Sequence, residues 1–197
     1  MIKIELKPLR GISIEGVGEV LLGQSRQDVE KLLGRQPKPY STYSDSSALY
    51  NYYEFRIDFD ASNKVEYIEF IYGPFPQRTE LSILNVNPFT VGAEKLVEIL
   101  SENNNGEVDL SEAEFSYSFL NSSVGVWRQY PQKDVEESIS KLKLSGEYEL
   151  NKSSFDDDLE NSKNFWTIGI GVADYYRWKF SLLPPICFYK LDKQEIL

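Results

Sequence analysis

Few residues in this chain are of the types, at the spacing, that chemistry requires. Asp156-Asp157-Asp158 offers oxygens to a hard cation. A calcium loop, however, spaces its oxygens, carries a glycine and ends in Glu. Consecutive carboxylates diverge, so a solvated charge run accounts for these three. Glu54, Asp58 and Glu66 could pair for acid–base hydrolysis, as two carboxylates do in glycosidases. Glu54 and Asp58 alternate with apolar residues, which predicts solvent exposure instead. Gly169-Ile170-Gly171 has two of the three glycines of a dinucleotide loop, but position 174 is Asp174 and no helix start follows. Small residues in a strand more simply admit a close neighbour. Cys187 is the only cysteine and sits among apolar residues, as a core thiol does. There is no histidine, which removes histidine bases, Ser-His-Asp triads, Cys-His pairs and His-ligated zinc. The expectation is a protein with no catalytic residue, no metal and no cofactor.

Two segments have the composition of a contact surface. Pro39 to Tyr53 is rich in tyrosine and serine, the mixture that antibody paratopes use. Its expected contact residues are Tyr40, Tyr43, Tyr50 and Tyr52, presented on an exposed loop. Residues 133–160 hold nine acids against four lysines, −5 of the chain's net −10. The pattern predicts a solvated, mobile insertion, with Asp156, Asp157 and Asp158 at the rim of a protein contact. An acidic chain repels nucleic acid. Complementary charge instead speeds association with a basic protein.

The elements that must position these segments follow from periodicity. Met1 to Pro8 alternates as a strand, with charges too frequent for a signal peptide. Ser25 and Asp28 form the opening of a capped helix whose Val29, Leu32 and Leu33 share a face, and Gly34 closes it. A loop from Arg35 to Ala48 precedes a hairpin: Tyr53 to Phe59, the turn Asp60-Ala61-Ser62-Asn63, then Lys64 to Tyr72. The order recurs. Thr90 is a candidate cap, and Ala93, Leu96, Val97 and Leu100 follow helical spacing. Phe115 to Phe119 and Val124 to Trp127 make a second hairpin. Val29 maps to Leu96 at an offset of 67, and Ile57-Asp58-Phe59 to Tyr117-Ser118-Phe119 at an offset of 60. Pro131 opens a further helix with Val135, Ile139 and Leu142 inward, and Phe165 to Ala173 reads as a buried strand. The last stretch, from Tyr175, reads as an irregular tail or an edge strand.

The predicted fold is α+β: a two-layer protein, one antiparallel sheet with helices on one face, from two diverged helix-plus-hairpin repeats. The repeats span 1–76 and 77–197, the second carrying an acidic insertion at 133–164. Gly23-Gln24-Ser25-Arg26-Gln27-Asp28-Val29-Glu30-Lys31-Leu32-Leu33-Gly34, followed by a hairpin, resembles the helix opening of outer-membrane assembly lipoproteins of the BamE/SmpA type. The resemblance implies a two-layer α+β module that binds proteins. No lipobox cysteine is present, and no functional residue carries over. In size and acidity the chain is also similar to immunity proteins of bacterial toxin systems. The functional expectation is a non-catalytic, cytoplasmic protein that binds another protein, as an immunity protein binds a basic toxin, with no nucleic-acid or membrane partner. The alternatives are an adaptor or sensor domain, or an enzyme of unfamiliar type.

Overall fold

The structure is a computed structural model that describes residues 1–34, 38–39, 46–71, 73, 75–150 and 152–177. Tyr40, Tyr43, Cys187 and most of the C-terminal stretch (178–197) lie outside the described residues. The fold is α+β.

The alternating N-terminus forms β1 (Ile2–Lys7) and buries Ile4 and Leu6. β2 (Gly11–Ile14) and β3 (Gly18–Leu21) fold back beside it, strands too short for periodicity to announce. α1 (Arg26–Leu33) starts at Ser25, whose hydroxyl oxygen accepts the Asp28 amide at 3.2 Å, and ends at left-handed Gly34. Then come β4 (Lys38–Pro39), β5 (Ser47–Tyr50), β6 (Phe55–Phe59) and β7 (Val65–Phe70). β5 begins inside the expected loop, because Ala48 and Tyr50 can share the apolar face of β6.

β8 (Thr79–Ile83), α2 (Ala93–Asn104), β9 (Val108–Asp109), β10 (Ser116–Phe119) and β11 (Val124–Trp127) follow. α2 is capped at Gly92, two residues after the expected Thr90. The helix expected after Pro131 is α3 (Gln132–Ser145); the rest of the acidic segment, expected as a mobile insertion, folds as a 3-10 turn (Tyr148–Leu150) and α4 (Lys152–Ser162). It can fold because it carries a core of its own: Val135, Ile139 and Tyr148, packed with Leu142, Phe155 and Leu159. β12 (Thr167–Gly171) closes the described chain's sheets.

Where one sheet was expected, there are two. One has the order β3-β2-β1-β8, the other β4-β5-β6-β7-β12-β11-β10-β9. All described neighbours are antiparallel except β1 and β8, which run parallel. One continuous core joins both sheets and the first two helices, from Ile4 and Val29 through Phe55 and Leu96 to Ile170.

Two pairs of ladders in the larger sheet share one register. β5 pairs β6 with Ser47 opposite Asp58 and Tyr50 opposite Phe55. β10 pairs β11 with Ser116 opposite Trp127 and Phe119 opposite Val124, each residue 69 further on (47 to 116, 58 to 127). β6 pairs β7 with Phe55 opposite Phe70; β11 pairs β12 with Val124 opposite Ile170, so the last strand is shifted by 100 (70 to 170).

Glu54 was expected in solvent. It is buried, at 5% exposure, in the turn between β5 and β6. Its carboxylate accepts the Gln77 amide at 2.7 Å, the Arg78 and Thr79 amides at 3.1 Å each, and the Thr79 hydroxyl. It therefore fixes the chain's entry into β8. Asp58, also expected in solvent, is largely buried beside Arg56. A carboxylate that satisfies several buried donors leaves all of them orphaned when removed. Glu54→Ala is expected to cost about 2 to 3 kcal/mol in urea unfolding. A loss under about 0.5 kcal/mol would show that water replaces the carboxylate without penalty.

Candidate functional site

The acidic hairpin is built from its base outward. Arg128, buried just past β11, donates from Nε to the Glu114 carbonyl at 2.6 Å and from Nη1 to the Ser162 carbonyl at 3.0 Å. Its guanidinium also lies 5.3 Å from the centre of the Phe165 ring. One side chain thus ties the end of α4 to the β9–β10 connection. Trp166 donates from its indole to the Asn161 carbonyl at 3.1 Å and meets Tyr130 edge-on at 5.1 Å. Further out, Gly146 takes the left-handed conformation that ends α3, and the Glu147 amide closes back on the Leu142 carbonyl at 3.1 Å. Tyr148 stacks on Phe155, with the Lys143 ammonium 4.7 Å from the tyrosine ring centre.

The aspartate run lies along α4, where successive side chains point about 100° apart. Asp156 accepts the Tyr148 hydroxyl at 2.6 Å, Asp158 accepts the Tyr130 hydroxyl at 3.2 Å, and Asp157 is exposed. The three do not converge. Among the described residues, no three His, Cys, Asp or Glu side chains form a group that could hold a metal.

A second polar cluster covers the face of the eight-stranded sheet turned away from the core. Arg56 lies 2.7 Å from Glu69 and 3.7 Å from Asp58, and the Ser47 hydroxyl donates to Asp58 at 2.6 Å. Burial pushes the Glu69 carboxyl up, although Arg56 beside it pulls the other way. Burial alone would push the Arg56 guanidinium down, but Glu69 and Asp58 hold it up. Both groups end raised: at Glu69 burial and the neighbouring Asp58 outweigh Arg56, and at Arg56 the two carboxylates together outweigh burial. Tyr67 and Tyr175 stack at 4.5 Å, and the Tyr67 and Tyr176 hydroxyls are 3.0 Å apart. Glycines make room for them. A Cβ at Gly169 would strike Tyr67, one at Gly171 would strike Tyr175, and one at Gly125 would strike Tyr176. Gly169-Ile170-Gly171 is therefore a strand that admits close neighbours, as its position in a predicted strand implied.

The expected contact residues are dispersed. Tyr50 is turned into the core beside Phe55, with 3% exposure, because its alternation with Leu49 places it on the apolar face. Tyr52 is exposed in the next turn and meets Tyr53 edge-on at 5.0 Å. The α3–α4 hairpin springs from β11 at the same end of the sheet, but four strand spacings away from β5, roughly 19 Å. Tyr52 and the aspartates thus do not form one patch. An open depression of about 410 Å³ at β9 is lined by Glu107, Val108, Asp109, Leu120, Tyr176 and Arg177. Arg177 there bonds Glu107 at 3.0 Å and Asn121 at 2.7 Å. No family model, curated protein or solved structure matches the chain. No helix among the described residues is long and apolar enough to cross a membrane.

The tyrosines make a measurable signature. Burial pushes Tyr50 and Tyr130 up to about 12 and raises Tyr67, Tyr175 and Tyr176 as well. The hydrogen bond to Asp156 raises Tyr148. A group raised in the folded state lends stability that is complete below its unfolded value and is lost as pH climbs through the folded one. Stability is therefore expected to hold to about pH 10 and fall between about 10 and 12. Tyrosinate absorbance at about pH 11 should rise sharply on adding denaturant. Complete ionisation of the folded protein near pH 10 would contradict the buried arrangement.

Proposed function

We propose that this chain is a non-catalytic protein-binding protein, a scaffold of two diverged copies that meets a basic partner through the acidic hairpin α3–α4. The observation that carries this reading is where the extra chain lies. Ladder partners shift by 69 up to Trp127 and by 100 from Thr167 onward, and the backbone acceptors Asn63 and Lys163 are likewise 100 apart, so 31 residues (100 less 69) are additional in the second half. All of them fall in the acidic hairpin.

Several independent contacts support the duplication. The Arg26 amide bonds the Asn63 carbonyl at 2.9 Å, and its counterpart Ala93 bonds Lys163 at 2.8 Å. Left-handed Glu54 corresponds to left-handed Ser123. β2 and β8 flank β1 in matching register, Ser13 and Ser82 both opposite Glu5. β7 and β12 pair with Phe70 opposite Ile168 and Ile68 opposite Ile170, an exchange that leaves Glu69 opposite Gly169 on a pseudo-two-fold axis. The correspondence differs in one respect from the sequence match at offset 60: β6 answers to β11, not to β10.

In a repeated scaffold, insertions on one copy are where binding is added. The buried and half-buried carboxylates of the scaffold are occupied: Glu54 by backbone amides, Asp58 and Glu69 by Arg56. Exposed acid is most concentrated in the hairpin, with −5 over residues 133–160. A nucleic-acid-directed toxin must be basic to bind phosphate, and such a protein is the partner class this surface suits best. A sensor or adaptor partner of the same charge would be met in the same way.

Two experiments test these readings. The full chain, used as bait in its native host, is expected to retain a basic protein at about 50 mM salt and release it at about 500 mM, where screening is severe. An acidic partner, or retention indifferent to salt, would remove the charge argument. For the duplication, ten Gly/Ser residues inserted between Ala61 and Ser62, the position answering to the hairpin, are expected to cost no more than about 2 kcal/mol. The same insert between Tyr52 and Tyr53, beside Glu54, should cost clearly more; equal costs would count against the equivalence.

A further inference from the structure

We propose that the connection between β9 and β10 binds a single hard divalent cation of the calcium class, through Asp109, Ser111, Glu112, Ser116 and Ser118. The site is independent of the acidic hairpin and of the protein-binding reading. These five residues line one pocket of about 10 Å³, room for a water-sized species and too small for an organic ligand. The ladder and the turn bring them together. Asp109 stands directly opposite Ser118, and Ser116 lies two positions along β10, on the same face. The Ser111 amide donates to Asp109 Oδ1 at 2.9 Å, and the Ser116 amide donates to the Glu112 carbonyl at 2.9 Å, which folds the turn back onto the strand. The observation that points to a ligand is Ser118. It is 4% exposed and lines the pocket, and its hydroxyl has no hydrogen-bond partner among the described residues. Buried hydroxyls are rarely left so, because the lost hydration is not returned.

The other half of the sheet shows what the pocket lacks. A line of paired residues crosses this face from Lys38 at the β4 edge to Asp109 at the β9 edge. Its cations, Lys38 and Arg56, both lie in the first half, where Arg56 serves Asp58 and Glu69. In the shared register Gly125 stands where Arg56 does, and Ser118 where Leu49 does. The fold thus accepts leucine at that position, so packing does not call for the hydroxyl. Ser47 donates to Asp58, whereas the matching Ser116 stands opposite Trp127, whose side chain has no acceptor. Asp109 and Glu112 form no ion pair among the described residues. Arg177, in the neighbouring depression, is engaged by Glu107, Asp174 and Asn121. Two carboxylates and three hydroxyls, with no nitrogen or sulfur, are a hard oxygen set. Calcium takes about six to eight oxygens in adaptable geometry, with water completing the shell, whereas magnesium demands a near-ideal octahedron. With only two carboxylates the dissociation constant should be on the order of 0.1 to 1 mM.

The test titrates the isotopically labelled full chain with calcium chloride to about 10 mM at constant ionic strength, well above the expected dissociation constant. Saturable amide shifts confined to residues 109–118 are expected, and magnesium chloride should need about tenfold higher concentration for the same response. Asp109→Asn with Glu112→Gln should remove the saturable response, and Ser118→Ala should weaken it about threefold. Without calcium, both variants should keep the unfolding midpoint of the parent chain. Calcium should raise the parent's midpoint and leave that of the double variant where it is. An absence of shifts at the highest concentration, as for a pocket that takes water alone, would overturn the proposal. So would shifts that do not saturate and spread over the exposed acids of α3 and α4, or a double variant that still binds. An equal response to magnesium would overturn the calcium-class assignment, and undiminished binding by Ser118→Ala would overturn the part given to that hydroxyl.

Discussion

β7 and β12 come from opposite halves of the chain, and the row in which Glu69 faces Gly169 is where the two halves become one sheet. Either meander alone would end there in unpaired amides and carbonyls, and joining them removes both edges at once. The junction dictates the chemistry around it. Tyr67 lies across Gly169, so that position admits no side chain. Glu69 is half-buried in the same row and draws in Arg56, which also engages Asp58. Tyr175 and Tyr176 then close over the strand that leads to them.

The acidic hairpin stands outside that dependence. It has its own apolar residues and a separate tie through Arg128. Its exposed surface can carry charge without disturbing the large core, because none of its buried residues belongs to that core. A stable sheet and an adaptable appendage are in this way assigned to different stretches of the chain.

Local pattern made most of the elements legible. Ser25 and Gly34 bracket α1, alternation marks β6 and β7, and the proline at 131 opens the helix that begins at Gln132. Strands of four residues such as β2 and β5 escaped because alternation over so few positions is not distinctive. The sequence match of β6 to β10 differs from the ladder registers for a related reason. Apolar alternation is the same in every strand of a meander, and only hydrogen-bond register separates one from the next. At the candidate site, the acidity of 133–160 and its first helix were plain, but α4 was not, since only Phe155 and Leu159 mark its inward face. Arg56 and Glu69 alternate with apolar residues exactly as solvated charges would. That a second layer of tyrosines covers them is a tertiary fact, hinted at only by glycines in β11 and β12.

Synthesis gives the junction a history. β7 leaves the ribosome about a hundred residues before β12, a wait of roughly 5 to 20 seconds at ordinary rates of translation. During that interval its edge has no partner from its own chain, and a second β7 laid antiparallel would offer it the same residue types as β12 at Ile68 and Phe70. Such a pairing would follow the native register and set Glu69 directly against a second Glu69, with like charges facing each other across the strands. The true partner brings Gly169 to the same place. In the finished sheet that row therefore holds one carboxylate and one bare backbone position, and no like charge faces Glu69.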